Sequence, residues 1–397
     1  MTVDDLLGTR AKFPILASTN YLISNSLGAM PASVRDSLAE YADTWATRGV
    51  RAWAEGWWTL PREVGDVIGR IINAKPGDVG MHLNVTSAVM SFLSALDWSG
   101  TRHSVVVTDM NFPSLLYQYR GHEKRGLRVV EVHSRDGIGI DTQQVVDAID
   151  DTTLLVAVDH VLFRSAYIQD AKAITEAAHA KGALVMLDAF QSVGTVPVDV
   201  QDLGVDAAVG GALKWLCGGP GACWLWVAPE LASRLEPSHV GWMAHPEPFA
   251  FDVGPMKLRD DAYRFLSGTP NIPGLMSARP GIEIVEQVGA SAIRRKSMHQ
   301  TALLIEMARA KGFGVNAPER AEQRGGTVAI DVPEGKAVCQ ELLSRDILVD
   351  YRPKAGIRVS PHFYTLDSEL EACVGEIADI LKTRAHERHL KSIPKYG

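Results

Sequence analysis

Asp188 and Lys214 are the residues whose chemistry the rest of the chain must serve. Asp188 closes the apolar run Leu184-Val185-Met186-Leu187, which is short enough for a buried strand and puts a carboxylate at the strand's C-terminal edge. A second short strand, Ala207-Ala208-Val209-Gly210, follows, and then Lys214 between Leu213 and Trp215, just ahead of Gly218-Gly219-Pro220-Gly221. An ammonium in such apolar company costs free energy, so the pKa of Lys214 is expected to fall. A partly desolvated amine is what a Schiff base with an aldehyde cofactor requires. The pair points to pyridoxal 5'-phosphate, with Asp188 on the pyridinium nitrogen and Lys214 on the aldehyde. The plainer alternative, a surface lysine and a strand-end aspartate, takes no account of the Gly-rich turn or the hydrophobic flanks.

These residues need a scaffold, and the pattern supplies one. From residue 104 onward strands and helices alternate: SVVVTDM, PSLLYQYRG, LRVVEVH, TQQVVDAI, TLLVAVDHVLF, and DAKAITEAAHAKG ahead of the Asp188 strand. Such alternation predicts a mostly parallel sheet covered on both faces, with ligands beyond the C-terminal strand ends. Phe112, Asp159, His160, Ser165, Asp188 and Gln191 all lie at or just past those ends. Upstream, MHLNVTSAVMSFLSALDW reads as a short strand, a turn over residues 84–87, and a helix whose first turn carries Thr86 and Ser87. Free N–H groups and hydroxyls there suit a phosphate, although an ordinary helix cap uses the same residues.

Pro31 opens a helix, VRDSLAEYADTWATRG, that Gly49 stops, and RAWAEGWWTLPREVGDVIGRII follows with Trp53, Trp57 and Trp58. At least two of these tryptophans are assigned to packing; a wall of an aromatic-binding pocket is the other reading. Residues 228–275 read as irregular, and a long helical stretch is expected from Leu275 to about Lys311. The last part alternates again and reads as a small α+β domain. The predicted organisation is an N-terminal arm over 1–30 attached to the small domain, a large cofactor-binding domain over 31–275, and a linking helix plus small domain over 276–397.

Composition bounds the partners. The 397 residues suit two domains, with 46% hydrophobic and 22% charged residues as in ordinary globular chains. A net charge of −7 argues against nucleic acid or an anionic membrane. No apolar run is long enough to span a bilayer, and MTVDDLLGTRAKFP does not read as a signal peptide. The four cysteines form no Cys-x-x-Cys pair and fit reduced thiols of a cytoplasmic protein rather than a metal site.

With these residues in view, the chain resembles the class V branch of fold type I pyridoxal-phosphate enzymes, and within it kynureninase. YLISNSLGAMP, WATRGVRAWAEGWW, LNVTSAV, NFPS, the Asp188 strand, LKWLCGGPG and AGIRVSPHFY carry the resemblance over nearly the whole chain. It implies an α/β fold of type I, a large domain with a mostly parallel seven-stranded sheet and a small C-terminal α+β domain. It also implies roles for named residues. Thr86 and the backbone from Val85 to Ser87 would hold the phosphate, and Phe112 would stack on the pyridine ring. Asp188 would pair with the ring nitrogen, Gln191 would face the cofactor, and Lys214 would form the Schiff base. Trp242 would close over the cofactor or phosphate. Thr269 would reach a phosphate, that of the neighbouring subunit of a homodimer included. Arg358 would grip the substrate α-carboxylate through its guanidinium fork, with Asn25 and Trp58 also facing the substrate. Trp53, Trp57, Phe163 and Tyr167 complete an aromatic set that could line an aryl pocket.

The chain departs from that family at three points. Gln191 stands where kynureninases usually have histidine, Leu213 where they have tyrosine, and Cys217 where they have asparagine. Gln191 and the Ser-Gly-Thr-Pro-Asn segment at residues 267–271 are more like the wider class V group. The expected activity is therefore kynureninase-like hydrolytic cleavage of an aryl amino acid's side chain. A class V aminotransferase, a cysteine desulfurase or C–S lyase, an epimerase, and a non-catalytic binding protein of the same fold remain as alternatives.

Overall fold

The structure, a computed structural model, describes residues 6–390; the ends of the N-terminal arm and of the small C-terminal domain lie outside the described residues. Its first eight strands are β1 (Asn20–Tyr21), β2 (Val79–His82), β3 (Ser104–Thr108), β4 (Arg128–Val132), β5 (Thr153–Asp159), β6 (Leu184–Asp188), β7 (Ala207–Gly211) and β8 (Cys223–Val227). Five more follow: β9 (Gly314–Asn316), β10 (Val328–Asp331), β11 (Ile347–Leu348), β12 (Asp350–Arg352) and β13 (Gly356–Val359). A seven-stranded sheet has the order β2-β8-β7-β6-β5-β3-β4. All of its neighbours are parallel except at β8, which runs antiparallel to both β7 and β2. This is the expected α/β architecture with a mostly parallel seven-stranded sheet.

The side-chain period of two sorts each strand between two cores. On β8, Trp224 and Trp226 enter one core while Cys223, Leu225 and Val227 enter the other. On β5, Val156 and Val158 take the first face, and Leu155 and Ala157 the second. Asp159 is in phase with Leu155 and Ala157, and Asp188 with Met186, which packs in that same second core. Both carboxylates thus project to the face covered by helices Val85–Leu93 and Pro113–His122, whose Val89, Phe92, Leu115 and Tyr119 fill it.

Helix Leu60–Ile72 shows why the opposite face forms. Leu60, Val64, Val67, Ile68 and Ile72 recur at helical spacing and are buried, Pro61 sits in the first turn, and Asn73 ends it in the left-handed region at φ 58°. Beyond the large sheet, the expected single long helix is two, Ile272–Val288 and Ala290–Ala310, separated at Gly289 with φ 84°. A glycine at positive φ ends a helix without steric cost, so the apolar spacing continues across a break in the backbone. The second helix packs on the four-stranded sheet β12-β13-β10-β9, whose core includes Leu304, Val328, Ile357 and Ile377. The N-terminal segment joins this part: β1 pairs in parallel with β11, and Leu22 lies in the same core. No helix among the described residues is long and apolar enough to cross a membrane.

Candidate active site

The ends of β5, β6 and β7 and the starts of helices Val85–Leu93 and Pro113–His122 enclose a cavity of about 330 Å³. Its lining includes Val85, Thr86, Phe112, Asp188, Gln191 and Lys214. Six of the twelve expected site residues therefore meet in one place. Lys214 sits in the hairpin between the antiparallel strands β7 and β8, closed by Ala212 N–H to Ala222 O (2.9 Å) and Gly218 N–H to Ala212 O (2.8 Å). Its Nζ lies 4.4 Å from the Phe190 ring centre and 5.5 Å from that of Phe112. Phe190 fits only because β7 ends in glycine: a Cβ on Gly211 would stand 2.5 Å from its ring.

Burial lowers the Lys214 pKa to about 8, with Asp188 opposing the shift and Arg358 adding to it. Burial raises Asp188 to about 6, against the backbone N–H of Phe190 and the charge of Lys214. Phe190 N–H donates to Asp188 Oδ1 at 2.8 Å, which fixes the carboxylate and leaves Oδ2 for a ligand.

Gln191 is held at both ends of its amide. Trp215 Nε1–H donates to its Oε1 at 2.9 Å, and its Nε2–H donates to Asn25 O at 3.0 Å. His362 Nε2, as the protonated ring nitrogen, donates to Trp215 O at 2.8 Å. The residue following the lysine is thereby tied both to the segment of β13 and to the end of β6.

The other expected residues are elsewhere. Ser87 spends its backbone N–H on the Asn84 side chain and its hydroxyl on Asn84 O, closing a capping box. It faces a neighbouring cavity of about 230 Å³, where Thr269 also lies. At this helix start Val85 and Thr86 line the first cavity instead. Asn25 is buried and contributes its carbonyl to Gln191, while its side-chain amide has no partner among the described residues. Trp58 and Trp242 pack on each other (ring centres 5.8 Å apart) and on Trp53 and Phe249, outside the cavity. Arg358 is buried behind the Phe163 wall, donating to Phe163 O at 2.6 Å and to Asp350. Phe163 alone of the expected aromatic set of tryptophans, Phe163 and Tyr167 lines the cavity. Asp159, expected at a strand end but assigned no role, lines the cavity, as do Phe190 and Cys223, which were not expected there. Asp159 and Phe190 sit at or next to strand ends, the signal that picked out their neighbours.

The donor set fits pyridoxal 5'-phosphate. An amine of lowered basicity, a buried carboxylate with one free oxygen, an aromatic face and a helix start occupy one cavity of suitable size. Fold and site together define a pyridoxal-phosphate-dependent α/β enzyme. The chain matches the Aminotransferase class-V family over residues 20–359 and belongs to it. It is 31% identical over 395 residues to the kynureninase of Burkholderia pseudomallei (strain K96243), covering 96% of this chain and 94% of that one. It is 32% identical over 369 residues to the "Uncharacterized aminotransferase YcbU" of Bacillus subtilis (strain 168), covering 93% and 96%. Among solved structures, a cysteine desulfurase from Thermococcus onnurineus NA1 superposes with a TM-score of 0.85 at 22% identity, covering 96% of this chain and 99% of that one. A C-DES variant with glycine covalently linked to its PLP cofactor also superposes with a TM-score of 0.85, at 19% identity, covering 93% and 99%.

Proposed function

We propose that this class V enzyme is a kynureninase-like hydrolase that cleaves the Cβ–Cγ bond of an amino acid bearing an aryl ketone. The observation that carries the reading is the wall around Lys214, where Phe112, Phe163 and Phe190 with Val161 offer an apolar, aromatic-lined space to a flat side chain. The full-length similarity to kynureninases supports it.

Bound pyridoxal phosphate supplies an electron sink for charge developing at the substrate Cα. The chain's residues supply the rest. Asp188 holds the proton of the pyridine nitrogen through its free Oδ2. Thr86 and the adjacent backbone anchor the phosphate, and Phe112 covers the ring. Lys214 would be the nearest base to the substrate Cα; its pKa of about 8 would let it both take and return the Cα proton near neutral pH. The burial of the lysine and the aromatic wall exclude bulk water from the ring. Arg358 would receive the substrate carboxylate only after its Nη1 leaves Phe163 O, its Nε and Nη2 staying on Asp350.

The buried thiols weigh against the desulfurase reading. Cys217, Cys223, Cys339 and Cys373 are all buried, and burial pushes each up to about 12. Cys223, the one that lines the cavity, is fixed in β8. Such thiols are poor nucleophiles and carriers. A class V aminotransferase is the second reading, favoured by Leu213 at the cavity wall, which offers no hydroxyl beside Lys214.

Trp58, Trp242 and Thr269 serve the site of a second copy in a homodimer. They lie outside this cavity, and exposed Phe249, Phe251 and Val253 adjoin them. The free cysteines fit a cytoplasmic enzyme. The test is a panel of amino acids, kynurenine and 3-hydroxykynurenine included, offered with and without a 2-oxo acid. Aryl product without the acceptor supports the hydrolase; product only with the acceptor assigns the aminotransferase.

A further inference from the structure

Asp159 is a buried carboxylate in the cofactor cavity with no part in the chemistry above. It is the last residue of β5, directly paired in register with Asp188, the last residue of β6, and both project to the same face of the sheet. Its Oδ2 accepts the backbone N–H of Phe112 at 2.9 Å, and its Oδ1 accepts Asn111 Nδ2–H at 3.0 Å. Its own carbonyl accepts Gln169 Nε2–H at 2.6 Å. The Oδ2 contact thus ties the carboxylate directly to the backbone of the residue expected to carry the stacking ring.

We infer that Asp159 is a positioning residue for the cofactor: it pins the backbone of Phe112 and so holds the phenyl ring over the pyridine plane. The turn that carries Phe112 does not need Asp159 for its shape. Asn111 already closes it, accepting from Thr108 N–H at 2.8 Å and from the Thr108 hydroxyl at 2.7 Å, and donating to Ala157 O at 3.1 Å. The contact from Asp159 adds a constraint at Phe112 itself, which is 41% exposed and whose ring meets Phe163 edge-on at 5.3 Å between centres and Lys214 Nζ at 5.5 Å. A buried carboxylate is a costly way to hold a turn. Its cost as an anion is reduced because burial and the charge of Asp188 push the Asp159 carboxyl well above the usual range. The inference holds for whichever amino acid the enzyme turns over.

A double-mutant cycle on cofactor affinity tests it, using the full-length protein stripped of cofactor and titrated with pyridoxal 5'-phosphate. Asp159→Ala and Phe112→Ala should each weaken binding about tenfold and reduce the visible circular dichroism of the bound cofactor. The double variant should bind about as well as Phe112→Ala alone, because Asp159 has no ring left to place. Unchanged affinity in Asp159→Ala overturns the inference. Losses that multiply in the double variant also overturn it, since Asp159 would then act on the cofactor without Phe112. Far-ultraviolet circular dichroism of the stripped protein reports folding. If Asp159→Ala fails that check, Asp159→Leu, similar in volume and without an acceptor, takes its place in the same cycle.

Discussion

Arg358 and Asp350 face each other across the antiparallel pair β12–β13 and form a two-point ion pair, with Arg358 Nε donating to Asp350 Oδ1 at 2.7 Å and Nη2 donating to Oδ2. Both side chains are buried, and Arg352 reaches the same carboxylate at 3.1 Å. Paired this way, the guanidinium is oriented before any substrate arrives. Its planar fork makes it poorly replaceable by lysine. Arg358→Lys should raise the KM for the amino acid by about tenfold or more, with a smaller change in kcat. An unchanged KM would remove Arg358 from carboxylate binding.

Asp350→Ala leaves a buried guanidinium short of its partner. Breaking such a pair costs about 3–5 kcal/mol, and the loss should appear in urea unfolding as a lower midpoint without a change in slope. A shift under about 1 kcal/mol would show that solvent replaces the lost contact.

The amine of Lys214 must be neutral to attack the cofactor aldehyde. With a pKa of about 8, the rate of cofactor capture by the stripped protein should climb through pH 7 to 9 with its midpoint near 8. The unfolded chain would hold that proton up to about 10.5, so the stripped protein should also gain stability as pH rises from 8 toward 10.5. A capture midpoint near 10.5 would mean that the lysine is not desolvated.

Gly28 lies under the lysine turn. Its N–H donates to Leu213 O at 2.8 Å, and a Cβ there would stand 2.2 Å from Lys214 O and 2.8 Å from Cys217 Cα. Gly28→Ala must therefore shift the turn, and the purified variant should carry much less cofactor than the parent, measured by visible absorbance of the released cofactor. Full loading would show that the N-terminal segment can move away without disturbing Lys214.

Trp215→Phe deletes the donor that holds Gln191 Oε1. It should cost about 1–2 kcal/mol in unfolding and leave Gln191 free to rotate. Equal stability would place water in the vacated position.

The residues that define the cofactor were legible because their signals are local. An apolar run ending in Asp188 and a lysine before a glycine turn announce themselves within a few positions, as does the strand–helix alternation that builds the sheet. What was not legible depends on partners distant in sequence. The reversed direction of β8 follows from the β7–β8 hairpin, and nothing in Cys-Trp-Leu-Trp-Val alone distinguishes it from a parallel strand. Trp58 and Trp242 were expected at the ligand; their mutual contact, between residues 184 apart in the chain, places them outside this chain's cavity and could not be read from the sequence. Ser87 was expected at the phosphate, and its part in a capping box could not be told apart beforehand because a cap and an anion site use the same groups. Asp159 was visible at a strand end, but its grip on Phe112 N–H spans two strands and a turn.

The central claim, hydrolytic cleavage of an aryl-ketone amino acid, is tested most directly by incubating the cofactor-loaded enzyme with kynurenine alone and following anthranilate by fluorescence. Hydrolysis of the Cβ–Cγ bond by one water must release anthranilate and alanine in equal amounts, with no 2-oxo acid present and none consumed. The account predicts that stoichiometry, and predicts its loss in Lys214→Ala. No anthranilate from kynurenine alone, with an aryl product that still carries its amino-acid carbons once a 2-oxo acid is added, would contradict it.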